Sequence, residues 1–357
     1  MHKGAAVKRT IVARRTFLTA TLGAVALGLT ACGADDVADA QAADAPLLDS
    51  VPKDTKLVVG DKEHQKAIEF SGEAKNLTFD VEWTSLSGGP QTLEAFRAHA
   101  LDIGAVADIP PIHSHWTGIP TRIVASRFRQ DPLNHPVYRL GIAPGVTVAT
   151  LADIRGKKVA YSPGQAQGAL VLRVLHKAGL TKEDVKLVEL PSTGDVYANA
   201  LAARQVDVAP IGGVQIKRYE TKYGKDGATT IAHGLRDDPG HLYAPITVLA
   251  DPGKAAAIRQ YVQVWARAWR WREANPQEWI DRYYVKDQGL SREDGQWLVD
   301  NAGKSDIPAS WADAIARHQE TIDLLAKETG NKPLKAEELY DRRYETIAAD
   351  AFTGGAQ

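Results

Sequence analysis

Three short stretches of this chain put small residues where an apolar run gives way to a helix-forming one. In the first, Ser85-Leu86-Ser87-Gly88-Gly89-Pro90 leads into Gln91-Thr92-Leu93-Glu94-Ala95. In the second, Gly104-Ala105-Val106-Ala107-Asp108 precedes Ile109-Pro110-Pro111-Ile112. In the third, Val159-Ala160-Tyr161-Ser162-Pro163-Gly164 leads into Gln165-Ala166-Gln167-Gly168-Ala169. A helix start leaves backbone N–H groups unpaired and carries the positive end of the helix dipole, so it can hold an anion without Lys or Arg. In open α/β sheets the ligand crevice lies beyond the carboxyl ends of the strands, where such turns fall. Any one of these stretches alone reads as a plain turn; it is their recurrence that points to a binding site.

Other chemistry is poorly supplied. The only cysteine is Cys32, so disulfides and thiolate metal sites are excluded once it is modified. No Ser-His-Asp arrangement or nucleophile elbow is present, so no catalytic residue is assigned and the expectation is a binding protein rather than an enzyme. His113 and His115 lie two apart and would point to different sides of a helix, so no metal site and no cofactor is expected.

The first 32 residues are organised for export. Lys3, Lys8, Arg9, Arg14 and Arg15 make a basic start, Thr16 to Ala31 is uncharged, and Leu29-Thr30-Ala31-Cys32 closes it. The apolar run is shorter than the roughly 20 residues that span a bilayer as a helix. Leu-Thr-Ala-Cys resembles the bacterial lipobox, which implies a lipid on the Cys32 sulfur. Arg14-Arg15-Thr16-Phe17-Leu18 resembles a twin-arginine signal. The expectation is a signal peptide over 1–31 and a protein anchored by lipid at the extracytoplasmic face of the bacterial cell membrane. Removing the signal takes away five of the 43 basic residues and none of the 44 acidic ones, leaving a net charge of −6. That balance argues against nucleic acid as a partner. Residues 32–53 are rich in Ala and Asp and show no periodicity, so they read as a flexible tether.

The body alternates apolar runs with amphipathic stretches, which predicts an α/β fold with mixed, mostly parallel sheets. Strands are expected at 56–60, 77–84, 102–107, 122–126, 158–161, 185–190, 206–211 and 229–232. Tyr138–Ala143 and Tyr243–Leu249 read as two strands connecting lobes. This predicts a discontinuous first lobe, 54–143 and 244–357, with a second lobe, 144–243, inserted at a two-strand hinge. From Gly253 onward only helices are expected, and Trp265, Trp269 and Trp271 read as a core-packing stripe.

Trp83 through Pro111, with Ser87-Gly88-Gly89-Pro90-Gln91 and Asp108-Ile109-Pro110-Pro111, resembles the aliphatic sulfonate, taurine and nitrate binding proteins of ABC importers. Leu151-Ala152-Asp153-Ile154-Arg155-Gly156-Lys157-Lys158 and Gln288-Gly289-Leu290-Ser291 resemble the same family. The resemblance implies a two-lobed type II periplasmic-binding-protein fold that closes over a small anion, acts as a monomer and delivers its cargo to a membrane permease. Carried onto this chain, the family pattern implies ligand contacts from Ser87, Gly88, Gly89, Asp108, Ile109, Gln165, Ala166 and Gln167. Gln165 is the expected side-chain donor. Asp108 either caps the helix near Pro110 or pairs with an amine on the ligand. Arg127 could add a cation. Pro210-Ile211-Gly212-Gly213, where relatives carry an aromatic and an acid, predicts a wall of backbone that includes Gly213. The implied ligand is an organic sulfonate or similar oxyanion. The alternatives are taurine, a sulfate ester, nitrate or a neutral nitrogen compound, and a desulfinase-like enzyme is the least favoured.

Overall fold

The computed structural model describes residues 41–86 and 88–354, which belong to one compact unit. Cys32, Arg14, Arg15 and Ser87 lie outside the described residues. Two sheets organise the body. The first has the strand order β11-β4-β10-β3-β1-β2 and the second β7-β6-β8-β5-β9.

In the first sheet, β1 (Lys56–Gly60), β2 (Asp80–Trp83) and β3 (Ile103–Val106) are parallel. β4 (Thr121–Arg129) pairs antiparallel with β10 (Gly240–Pro245), which in turn pairs antiparallel with β3. β4 therefore ends at the same edge as β1 and β3. The short β11 (Ser305–Asp306) extends the sheet beyond β4. Three helices connect these strands: α1 (Lys62–Ser71), α2 (Gly88–Arg97) and α3 (Ile109–Trp116).

The second sheet pairs β6 (Lys158–Tyr161) in parallel with β7 (Lys186–Glu189) and β8 (Val208–Gly212), and β5 (Tyr138–Ile142) antiparallel with β8 and β9 (Thr229–Ile231). α4 (Ala166–Lys177), α5 (Val196–Ala202) and α6 (Val214–Tyr223) serve this sheet.

Sheet membership corrects the expected boundaries. Tyr138–Ile142, expected to close the first lobe, is bonded on both sides within the second sheet, and Gly240–Tyr243, expected in the inserted lobe, is bonded on both sides within the first. The chain thus crosses between halves at 130–137 and 232–239, which are irregular rather than paired strands. Asp237 and Asp238 tie these crossings together. Val137 and Tyr138 donate their N–H groups to the two Asp237 carboxylate oxygens at 2.9 and 2.7 Å, and Arg129 N–H donates to Asp238 at 2.7 Å.

The helical region after Gly253 builds most of the first core. Asp251 caps α7 (Pro252–Ala274) by accepting from Lys254 N–H, with Pro252 in the first turn, where its missing donor costs nothing. α7 buries Tyr261, Trp265 and Trp269 against the sheet, and beyond it a π-helical stretch, Ile280–Asp287, positions Tyr283 and Tyr284. α8 (Arg292–Ala302), α9 (Ala312–Thr329) and α10 (Ile347–Thr353) complete the region.

The described part of the expected tether is not loose. Ala43 is fully buried, and Leu47 and Val51 pack on the first core. Arg343 donates to the Ala45 carbonyl and Arg259 to that of Asp49, each at 2.7 Å.

Two seams join the halves. Ala169 and Leu172 of α4 belong to the first hydrophobic core and sit against α9. On the other flank, Lys217 and Arg218 of α6 bind Asp294 of α8 at 3.0 and 2.9 Å.

Candidate functional site

The three sequence-identified turns lie at the carboxyl edges of β2, β3 and β6, and the fold packs them in series. A Cβ at Gly89 would lie 2.5 Å from Pro110, so the first turn rests on the second. A Cβ at Gly164 would lie 3.3 Å from the His113 ring, so the third turn rests on the helix that follows the second. Gly168 is required: a Cβ there would fall 2.0 Å from the Ser162 carbonyl oxygen, closer than any side chain allows. That approach starts α4 directly behind the turn, with no side-chain cap on its first N–H groups.

Beside this helix start is a cavity of about 260 Å³ whose lining includes Tyr138, Gln167, Ser192, Tyr197 and Gly213. Gly213 precedes α6 with φ 55° and ψ −142°, a conformation that strains any residue with a Cβ. Gln167 donates from Nε2 to the Ser192 carbonyl at 3.3 Å, and Ser192 Oγ donates to Gln165 Oε1. Ser192 therefore holds both amides, and the Gln165 NH₂ group has no partner among the described residues.

Ser162 and Tyr197, each 4% exposed, have hydroxyls with no hydrogen-bond partner outside their own pair. Burial pushes the Tyr197 phenol up to about 12, with the Ser162 hydroxyl opposing weakly, so it stays a proton donor. Buried hydroxyls left without partners cost stability, and a ligand oxygen would satisfy them.

Asp108 does not cap α3, whose first turn receives no bond from that carboxylate. The expected cap fails because Asp108 itself has helical φ and ψ, −68° and −27°. Its backbone carbonyl accepts from His318 Nε2 at 2.8 Å, and its charge helps raise the Tyr138 phenol, after burial, well above the ordinary value. Ile109, 1% exposed, is a core residue whose side chain cannot touch a ligand.

Arg127 is not brought to the Gln167 cavity. Its side chain lies over the Trp269 ring at 3.9 Å and donates from Nε to Ser305 Oγ at 2.6 Å, in a separate cavity described below. His115 is held at Thr121, 2.7 Å from its carbonyl. Among the described residues no cluster of His, Cys, Asp and Glu is placed to hold a metal ion. Tyr197 and Ser192 sit on α5 and the loop before it; Ser192-Thr193-Gly194, with Gly194 at φ 54°, is the same small-residue signal as the other three turns and could have found them.

The model of the NMT1/THI5 like family matches residues 80–279. An Escherichia coli (strain K12) protein named "Putative aliphatic sulfonates-binding protein" is 29% identical over 161 residues, 43% of this chain and 49% of that one. The chain thus spans about half the length of this curated relative. Among solved structures, the periplasmic aliphatic sulphonate binding protein SsuA from Escherichia coli superposes with a TM-score of 0.66 at 21% identity, covering 82% of this chain and 92% of that one. The alkanesulfonate-binding protein SsuA from Xanthomonas axonopodis pv. citri, bound to MOPS, gives 0.63 at 21% identity over 85% and 98%. The fold is that of the periplasmic binding proteins.

Proposed function

We propose that this chain, which belongs to the NMT1/THI5 like family, is the solute-binding component of an ABC importer and captures an organic sulfonate. The observation that carries this reading is the pair of buried hydroxyls, Ser162 and Tyr197, which have no partner but each other, beside the start of α4. A sulfonate has three acceptor oxygens, no donor, and a charge that persists across the ordinary pH range. It would accept from the Tyr197 hydroxyl, the Gln165 and Gln167 amides and the first N–H groups of α4. Each charge-assisted bond contributes about 1.5–3 kcal/mol. A cavity of about 260 Å³ lies at the small end for ligands, which favours a short alkyl tail.

In the same reading Gly88, Gly89 and Asp108 close the pocket from the opposite half. Cys32 carries the lipid that holds the protein outside the membrane, and a permease receives the cargo from the monomer. The charge of Asp108, felt by Tyr138 in the cavity lining, favours a zwitterion such as taurine as the second choice of ligand.

Calorimetric titration with ethanesulfonate, taurine, sulfate and nitrate tests the proposal. Micromolar binding of a sulfonate, on the order of −8 kcal/mol, is expected. Tyr197→Phe should weaken it five- to tenfold while changing the melting temperature little, because in the free protein the deleted hydroxyl has Ser162 alone as partner. Tight binding of nitrate alone, or turnover of the sulfonate, would refute the assignment.

A further inference from the structure

Successive β4 side chains point to opposite faces of the first sheet. Phe128 meets the His241 ring on one face, while Arg127 meets α7 on the other. There Arg127, Trp269, Arg272, Trp279, Val299 and Lys304 contribute to a cavity of about 300 Å³.

Arg127, Arg272 and Lys304 line this cavity together with Glu273 and Asp300, and Glu63 pairs with Arg272. Arg127 spends only Nε on Ser305, and its two terminal nitrogens have no partner among the described residues. The Arg272 guanidinium lies 4.6 Å from the Trp269 ring and 4.7 Å from Trp279. Nearby, Arg129 gives Nη1 to the His135 carbonyl, and its buried Nε has no acceptor. Glu63 is paired with Arg272, while Glu273 accepts from the Ser305 N–H and Asp300 from Gln296, so none of the three acids bonds to Arg127. Burial, then the charges of Arg272 and Arg129, push the Arg127 guanidinium down to about 9, with Glu273 and Glu63 opposing. A site that crowds cations in this way gains from any anion that enters it.

The walls narrow the class of ligand. Trp269 and Trp279 are 8% and 0% exposed, and both have indole N–H groups without an acceptor. Two indoles, Pro276 and Val299 favour a flat apolar body, and the free Arg127 fork favours a carboxylate or sulfonate head.

We infer that the cavity between β4, α7 and the loop before β11 is a second anion site, taking a small aromatic sulfonate or carboxylate independently of the Gln167 cavity. The test is calorimetric titration of the full chain with benzenesulfonate, with indole fluorescence followed in parallel. Saturable binding with a change in fluorescence is expected, and Arg127→Gln should weaken it at least tenfold. Should Arg127→Gln fail to fold, Lys304→Gln on the exposed rim should weaken binding two- to fivefold. Absence of binding at 10 mM, or unchanged affinity in the variant that folds, overturns the inference. Loss of binding in Gln167→Ala with Arg127→Gln unaffected would place the probe in the first cavity; that overturns the second site and leaves the proposed transport role standing.

Discussion

The two cavities prepare for an anion in opposite ways. The one at Gln167 has no cation in its lining and relies on a helix start, amides and hydroxyls. The one at Arg127 sets guanidinium groups against indoles. Fixed dipoles cost little to bury and discriminate by geometry, whereas buried cations cost several kcal/mol each in desolvation and attract any negative group of suitable shape. The contrast teaches that selectivity and raw attraction need not reside in the same place, and that the second carries a stability penalty which the first largely avoids.

That contrast can be broken experimentally, most forcefully at Gly168. A valine there would drive its Cβ into the Ser162 carbonyl. Gly168→Val is expected to lose about 3 kcal/mol, seen as a melting temperature lower by on the order of 10 °C, together with all sulfonate binding. Retention of either would mean that α4 can start elsewhere and that its dipole is not committed to the cavity.

A smaller effect of opposite sign is expected at the other cavity. Arg127 is a crowded, half-buried cation, so Arg127→Met should raise the melting temperature by about 2–5 °C despite losing the Ser305 bond. A fall instead would show that stacking on Trp269 outweighs the repulsion and that the penalty assigned to this site is absent.

The smallest effect sharpens the comparison by pH. Neither cavity depends on a group that titrates near neutrality for its charge, but the fold does. Burial holds His241 well below its ordinary value, with His318 adding to the shift, and burial also lowers His318. The folded protein keeps both neutral while the unfolded chain protonates them below about pH 6.5. Stability is therefore whole above that pH and declines as pH falls toward the depressed folded values. Thermal melts from pH 7 to 5 should show this slope, and His241→Gln should flatten it. An equal slope in the variant would remove the buried imidazoles as its cause.

Much of this was legible in the sequence. Small residues after apolar runs located the three turns, because a strand that ends at a ligand-facing edge needs residues that permit close backbone approach. Gly168 is where that need is strictest, while Gly213 is required by its positive φ. The stripe of Trp265 and Trp269 was read correctly as core. What stayed hidden depends on partners distant in the chain. Tyr138–Ile142 reads as a connection until β8 and β9 appear on either side of it. Trp269 and Arg272 are visibly one helical turn apart, but only the fold sets Arg127 above the indole. Asp108 looks like a cap from its place before Pro110, and only its backbone angles show that it is not.

The apolar seam between α4 and α9 has a consequence for how fast a solute can come and go. Parting the halves along it would wet Leu172 and Ala169, at a cost of about 2 kcal/mol or more. A difference of that size leaves the parted form at roughly 3% of molecules or fewer. Entry and escape would then be gated by rare breathing of a greasy contact one to two helical turns along α4 from the amides that recognise the cargo, so residence time is tuned at Leu172 through packing and not through the polar contacts.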